Sequence, residues 1–175
     1  MSHKLESGGP LPTLHLPVVD GEKVTLGKAQ TPGNWQVVIV YRGIHCPLCN
    51  KYLKRLEELY SGFTKAGAEV VAVSGDPLAK AEAIVKNNQL TFPVAYDLSV
   101  EQMQTLGLYI TEPREDDDTD QRFAEPATFG INPDGKLQLI EISNTPFNRA
   151  DLVELLDTVE WIQETGSPIR GTYTG

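Results

Sequence analysis

Trp35-Gln36-Val37-Val38-Ile39-Val40-Tyr41-Arg42-Gly43-Ile44-His45-Cys46-Pro47-Leu48-Cys49 is the stretch on which the reading of this chain turns. Its first half is a continuous β-branched and aromatic run rather than an alternating one. Such a run predicts a strand buried on both faces, as in the middle of a parallel or mixed sheet. Beyond it, Leu48, Tyr52, Leu56, Leu59 and Phe63 recur at helical spacing, which predicts an amphipathic helix over 47–65 with these residues facing the core. Pro47 suits the first helical position, where its missing N–H is no loss and its φ is already helical. Cys46 then falls at or near the N-cap, and Cys49 one turn in on the same face. The motif is strand, short loop, dithiol, helix.

That placement favours thiol chemistry. A cysteine acts as thiolate, and its unperturbed pKa is roughly 8.5. Unpaired N–H groups and the positive end of the helix dipole both stabilise the anion. A partner sulfur three residues on can resolve a mixed disulfide or sulfenic acid formed on the first. Cys46, nearest the free amides, is expected to be the nucleophile toward disulfides. Cys49 is expected to be less exposed, harder to ionise and the resolving thiol. Two other readings stand beside this one. The pair is half a zinc site, for which only His3, His15 and His45 are available besides. It is also compatible with inert buried thiols.

The remaining sequence bounds the answer. The chain has 175 residues, 40% of them hydrophobic and 22% charged, which is ordinary globular composition. This length supports one domain with a real core and no need of disulfide staples. A net charge of −9 with no Lys/Arg cluster argues against nucleic acid and anionic membrane surfaces as partners. No apolar run approaches a membrane span, and residues 1–10 lack the apolar core of a secretory signal. The expected location is the cytoplasm.

Further elements follow from the same signals. Residues 14–19 and 23–26 flank Asp20-Gly21, a two-residue hairpin signal. Residues 69–74 read as a second core strand, 77–87 as a helix, and 91–96, which contains Pro93, as a short edge element. Ser99 is an N-cap for a helix through Leu106. Residues 127–132 and 136–143 form two strands about the turn Asn132-Pro133-Asp134-Gly135, and 149–164 is a closing amphipathic helix. The order is that of an α/β sandwich with a mixed sheet. Between Glu112 and Arg122 lies an acidic stretch, expected as a solvated loop that could rim the dithiol.

With these segments assembled, the chain resembles the thioredoxin-fold superfamily, and within it the peroxiredoxin-like group of the alkyl hydroperoxide reductase and thiol-specific antioxidant type. The resemblance rests on Asp20-Gly21, Tyr41 to Cys49, Val73-Ser74-Gly75-Asp76, and Glu125-Pro126-Ala127-Thr128-Phe129. It implies a thioredoxin-like fold: a central mixed β-sheet flanked by helices, with an N-terminal β-hairpin. It implies a single domain over 1–175, with a core of about 12–162 and tails at 1–11 and 166–175. The peroxiredoxin pattern Pro-x-x-x-Thr-x-x-Cys places its proline on Arg42, its threonine on Cys46 and its peroxidatic cysteine on Cys49. The family's later arginine has no counterpart near Ala127 or Thr128. The thioredoxin-like Cys-x-x-Cys stands instead.

The resemblance also implies a site. Cys46 and Cys49 are its catalytic pair, lined by Arg42, His45, Pro47, Glu125 and Pro126. Pro126 matches the proline that faces the dithiol in a cis peptide bond. Glu125 points either at the sulfurs or to solvent. Arg42 either compensates charge near Cys49 or is solvated. His45 either exchanges protons beside Cys46 or exposes its ring on a substrate surface. The implied activity is thiol–disulfide exchange with an antioxidant role. A peroxidase with Cys49 peroxidatic and Cys46 resolving, and a redox-inert binding or sensing module, are the other readings. No cofactor or metal is implied. The partners are a protein or small-molecule disulfide or peroxide, and an external thiol reductant of thioredoxin or glutathione type.

Overall fold

The structure, a computed structural model, describes residues 4–175. His3, one of the three histidines counted as candidate zinc ligands, lies outside the described residues, as does the start of the segment read for a secretory signal. The central sheet has the order β5-β4-β3-β8-β9. Its middle strand, β3 (Trp35–Val40), pairs in parallel with β4 (Ala68–Val73) and antiparallel with β8 (Ala127–Ile131). β5 (Val94–Ala95) forms one edge, as Pro93 suggests, and β9 (Leu137–Ile142) the other.

Side chains alternate across a strand, so the continuous run in β3 serves two cores. Trp35, Val37, Ile39 and Tyr41 pack with α1 (Pro47–Lys65), α2 (Leu78–Asn88) and α4 (Leu152–Thr165). Val38 and Val40 pack on the other face against the hairpin β1 (Leu14–Pro17) and β2 (Lys23–Leu26), and against α3 (Val100–Thr105). Gln36, the polar residue in the run, is buried with its amide satisfied. Its nitrogen donates to Thr25 O (2.9 Å), and its oxygen accepts from Gly27 N (2.8 Å), tying the hairpin to the sheet. Asp20 and Gly21 both have positive φ, but the expected two-residue turn is a three-residue one: Val18 N donates to Glu22 O and Gly21 N to Val18 O, because Val19 is drawn away to donate to Val94 O.

Four features differ from the sequence reading. Leu48, expected in the core, is 40% exposed. The inward stripe of α1 is instead Cys49, Leu53, Leu56 and Phe63, so Cys49 takes the core position one residue along. A small hairpin, β6 (Ile110–Thr111) with β7 (Phe123–Ala124), brackets the acidic stretch; strands of two residues carry no periodicity to read. Residues 5–11 are more than a tail. Leu11 is buried, and Gly8 and Gly9 exchange backbone hydrogen bonds with Leu137 at the start of β9. The C-terminal segment docks nearby, with Gln138 donating to Ser167 O and Ser7 to Arg170 O. None of the described helices is long and apolar enough to cross a membrane.

Emptying the core position of Phe63 tests this stripe. Phe63→Ala should lower the unfolding free energy by about 3–5 kcal/mol in a denaturant titration, through lost burial and the cavity left behind. Leu48→Ala, on the exposed side, should cost less than about 1 kcal/mol in the same titration.

Candidate functional site

β3 ends in the core, and the chain turns from Tyr41 into α1 through Arg42-Gly43-Ile44-His45. Gly43 has a φ of +147°, and a Cβ there would come within 2.7 Å of Asp76 Oδ1 and 2.8 Å of His45 Nδ1. Only glycine permits so tight a loop. Asp76, from the Val73-Ser74-Gly75-Asp76 segment, fixes the loop by accepting from Ile44 N (2.8 Å). Burial holds the Asp76 carboxyl above the usual carboxylate range, partly offset by that amide. Asn50 ties the loop to the helix through Ile44 O and Cys46 O.

Cys46 is the N-cap of α1, with extended backbone, and Pro47 stands at the helix start. The Cys46 sulfur accepts from Cys49 N at 3.3 Å, which places a thiol where serine or aspartate usually stands. The two cysteines are unbonded and approach to 3.0 Å. Both are buried, Cys46 2% and Cys49 0% exposed, so exposure hardly distinguishes them. Hydrogen bonding does. The Cys49 thiol donates toward Cys46. Together with the Arg42 guanidinium and the Cys49 amide, it outweighs burial and pulls the Cys46 pKa down to about 5. Cys49 is pushed strongly upward, first by holding its proton against Cys46 and then by burial.

Arg42 reaches the first sulfur rather than the second. Its guanidinium lies beside Cys46, while its backbone amide faces Cys49. The guanidinium also stacks over Phe123, 4.6 Å from the ring centroid. Its Nε lies 3.0 Å from Glu125 Oε2. Glu125 therefore points neither to solvent nor freely at the sulfurs. It is 3% exposed, paired with Arg42 and accepting from Thr111 Oγ1 at 2.8 Å.

His45 is half-buried against Phe123, ring centroids 4.6 Å apart, and neither ring nitrogen has a hydrogen-bond partner. Burial and the neighbouring Arg42 lower its pKa, so it is neutral at pH 7. No hydrogen bond joins it to Cys46, and both ring nitrogens are buried. Pro126 is buried, but its peptide bond is trans, as are all those of the described residues. The expected cis bond is not formed because the chain here runs extended between two partners. Glu125 N bonds to Tyr109 O, and Pro126 O accepts from Ser143 N, leading straight into β8.

One residue was missed altogether. Arg149, in the loop between β9 and α4, brings its Nη1 to 3.6 Å from the Cys49 sulfur. Two contacts hold it, a bond to Pro146 O and the face of Tyr52, 5.0 Å from the ring centroid. A cation therefore stands at each sulfur, although no arginine lies near Ala127 or Thr128. Among the described residues no three His, Cys, Asp or Glu side chains cluster as a metal site.

The comparisons with known proteins agree with this geometry. Residues 7–140 match the model of the AhpC/TSA family. The chain belongs to that family. It is 28% identical over 135 residues to the thiol-disulfide oxidoreductase ResA of Bacillus thuringiensis subsp. konkukian, covering 77% of this chain and 68% of that one. It is 34% identical over 94 residues to the chloroplastic peroxiredoxin Q of Oryza sativa subsp. japonica, covering 54% of this chain and 42% of that one. Among solved structures, a cysteine-to-serine mutant of peroxiredoxin 6 of Arenicola marina superposes with a TM-score of 0.77 at 22% identity, covering 93% of this chain and 76% of that one. A peroxiredoxin-like protein from Aquifex aeolicus gives 0.76 at 20% identity, covering 92% and 90%. The fold is thioredoxin-like, and the chain is a thiol-dependent oxidoreductase.

The asymmetry between the sulfurs has a pH signature. Cys46 should be alkylated by iodoacetamide with a rate that falls only as the pH drops through about 5, against roughly 8.5 for a free thiol. Cys49→Ala should move that midpoint up most, because it removes the largest stabilising contact, and Arg42→Met should move it up less. Mass spectrometry of the quenched, digested protein reads both cysteines in one series.

Proposed function

We propose that the chain is a thiol–disulfide oxidoreductase in which Cys46 attacks and Cys49 resolves. The observation that carries this reading is the Cys46 sulfur as N-cap, stabilised as thiolate by the Cys49 amide, the Cys49 thiol and Arg42. The Cys46 thiolate attacks one sulfur of a substrate disulfide. The substrate's S–S bond breaks, a mixed disulfide forms on Cys46, and the departing thiolate takes a proton from water. This step also releases Cys49. Its proton was held by the Cys46 anion, and that anion is gone once Cys46 is bonded to the substrate sulfur. The Arg149 cation and the Arg42 amide then remain to favour the Cys49 thiolate. Cys49 attacks Cys46, the second substrate thiolate leaves, and the protein disulfide is formed. Two electrons have passed to the substrate. An external thiol reductant of thioredoxin or glutathione type would return them, in a reducing compartment such as the cytoplasm.

A peroxidase reading has one observation of its own in favour, Arg149 beside Cys49, where a cation would steady a peroxide oxygen. The hydrogen bonding opposes it, since Cys49 is the sulfur that keeps its proton.

Trapping separates the two. Cys49→Ser should accumulate a mixed disulfide on Cys46 when mixed with a disulfide substrate. Cys46→Ser should react at least about tenfold more slowly, since the capped thiolate is gone and burial still raises the remaining Cys49 thiol. If Cys46→Ser instead consumes hydrogen peroxide and forms a sulfenic acid on Cys49, the peroxidase reading replaces this one.

A further inference from the structure

Beside the dithiol, on the outer face of α1, lies a groove of about 580 Å³. Leu48, Lys51, Tyr52 and Arg55 form one wall, at the spacing of a single helical stripe, and Phe147 and Arg149 form the other. Arg149 belongs both to this wall and to the Cys49 environment, its Nη1 3.6 Å from that sulfur, so the groove runs alongside the dithiol. We propose that it docks an acidic, apolar-anchored segment of a protein partner that carries the disulfide. This deepens the exchange reading above and rests on it.

Charge makes the first argument. The chain carries −9 overall, yet Lys51, Lys54, Arg55 and Arg149 all line this groove. Only Glu58 opposes them, and it is taken by Arg55 at 2.6 Å. Among the described residues Lys51, Lys54 and Arg149 have no carboxylate partner within ion-pair distance. An acidic segment supplies what the groove lacks, and charges of this kind steer encounter and set partner choice.

Apolar surface makes the second. Leu48 is displaced from the core, and Phe147 is 79% exposed. Two large apolar side chains flanking a reactive dithiol mark a contact surface rather than scattered exposure. A small thiol filling the groove would leave Phe147 in water, whereas a polypeptide covers both. A third argument concerns direction. On the Arg42 side lies the acidic stretch, which runs directly into Phe123, the ring beneath the Arg42 guanidinium. A segment laid across the dithiol thus meets cations toward α1 and carboxylates toward Arg42, and its acidic end belongs over the groove.

The test uses pre-reduced protein in single-turnover reactions with two cystine-bridged peptides of equal length, each with one phenylalanine. One is flanked by aspartates, the other by lysines. Bis(2-hydroxyethyl) disulfide is the uncharged probe, and glutathione disulfide is the small anionic one. The acidic peptide should react at least about tenfold faster than the basic one at low salt, with the ratio shrinking in ~0.5 M NaCl, as screening requires. Lys51→Glu with Lys54→Glu should bring the ratio to one or invert it. Lys136→Glu, on the distant β8–β9 turn, should leave the ratio as it was. Equal peptide rates, or a ratio that survives the double reversal, would overturn the docking proposal while leaving the exchange reading intact. So would glutathione disulfide reacting as fast as the acidic peptide, which would make the partner a small molecule. Failure to reduce even the uncharged probe overturns the exchange reading, and the docking proposal with it.

Discussion

One hydrogen bond organises this molecule, that from the Cys49 amide to the Cys46 sulfur across the first turn of α1. A helix must satisfy its first N–H groups, and here a sulfur does so. The same contact sets the dithiol spacing and holds the two sulfurs within reach of each other. It also decides which of them keeps its proton. What lies around it makes the cap possible. Pro47 starts the helix at Cys46, and Gly43 bends the preceding loop where any Cβ would collide with Asp76 and His45. The strand behind the loop cannot shift, because it is the middle strand of a sheet buried on both faces.

Much of this was legible in sequence. The apolar run of β3 has no polar alternation, and burial on both sides is the only comfortable home for such a strand. Pro47 marks the helix start, and with it the cap position of Cys46, through backbone geometry alone. The face of α1 was misjudged by one residue. Leu48 and Cys49 are both apolar enough for the core, and spacing cannot choose between Leu48-Tyr52-Leu56 and Cys49-Leu53-Leu56 when both are helical stripes. The structure chooses the second, which puts a sulfur in the core and a leucine in the groove.

The electrostatic half of the site was less legible, for a different reason. Arg149 lies a hundred residues from Cys49 in the chain. Its position depends on the path of the β9–α4 loop, which carries no periodic signal. Glu125 could be noticed but not aimed, since its partner Thr111 belongs to a two-residue strand. The trans bond before Pro126 is likewise a matter of tertiary pairing. Ladder contacts on either side draw that segment out straight, whatever the local preference of a proline.

The buried Arg42–Glu125 pair has a consequence for reactivity. A cation against a thiolate lowers its pKa, but each such gain also lowers the intrinsic nucleophilicity of the sulfur. An unopposed guanidinium would therefore give an abundant but sluggish thiolate. Glu125 Oε2, 3.0 Å from Arg42 Nε, draws part of that charge away from Cys46. Removing the carboxylate would also leave a largely desolvated cation without its carboxylate partner, which is costly in its own right. The pair is thus a compromise between ionising the sulfur and keeping it reactive. On the other side, Arg149 has no opposing carboxylate within ion-pair distance among the described residues. That fits a thiol which must lose its proton only briefly, after Cys46 has already reacted.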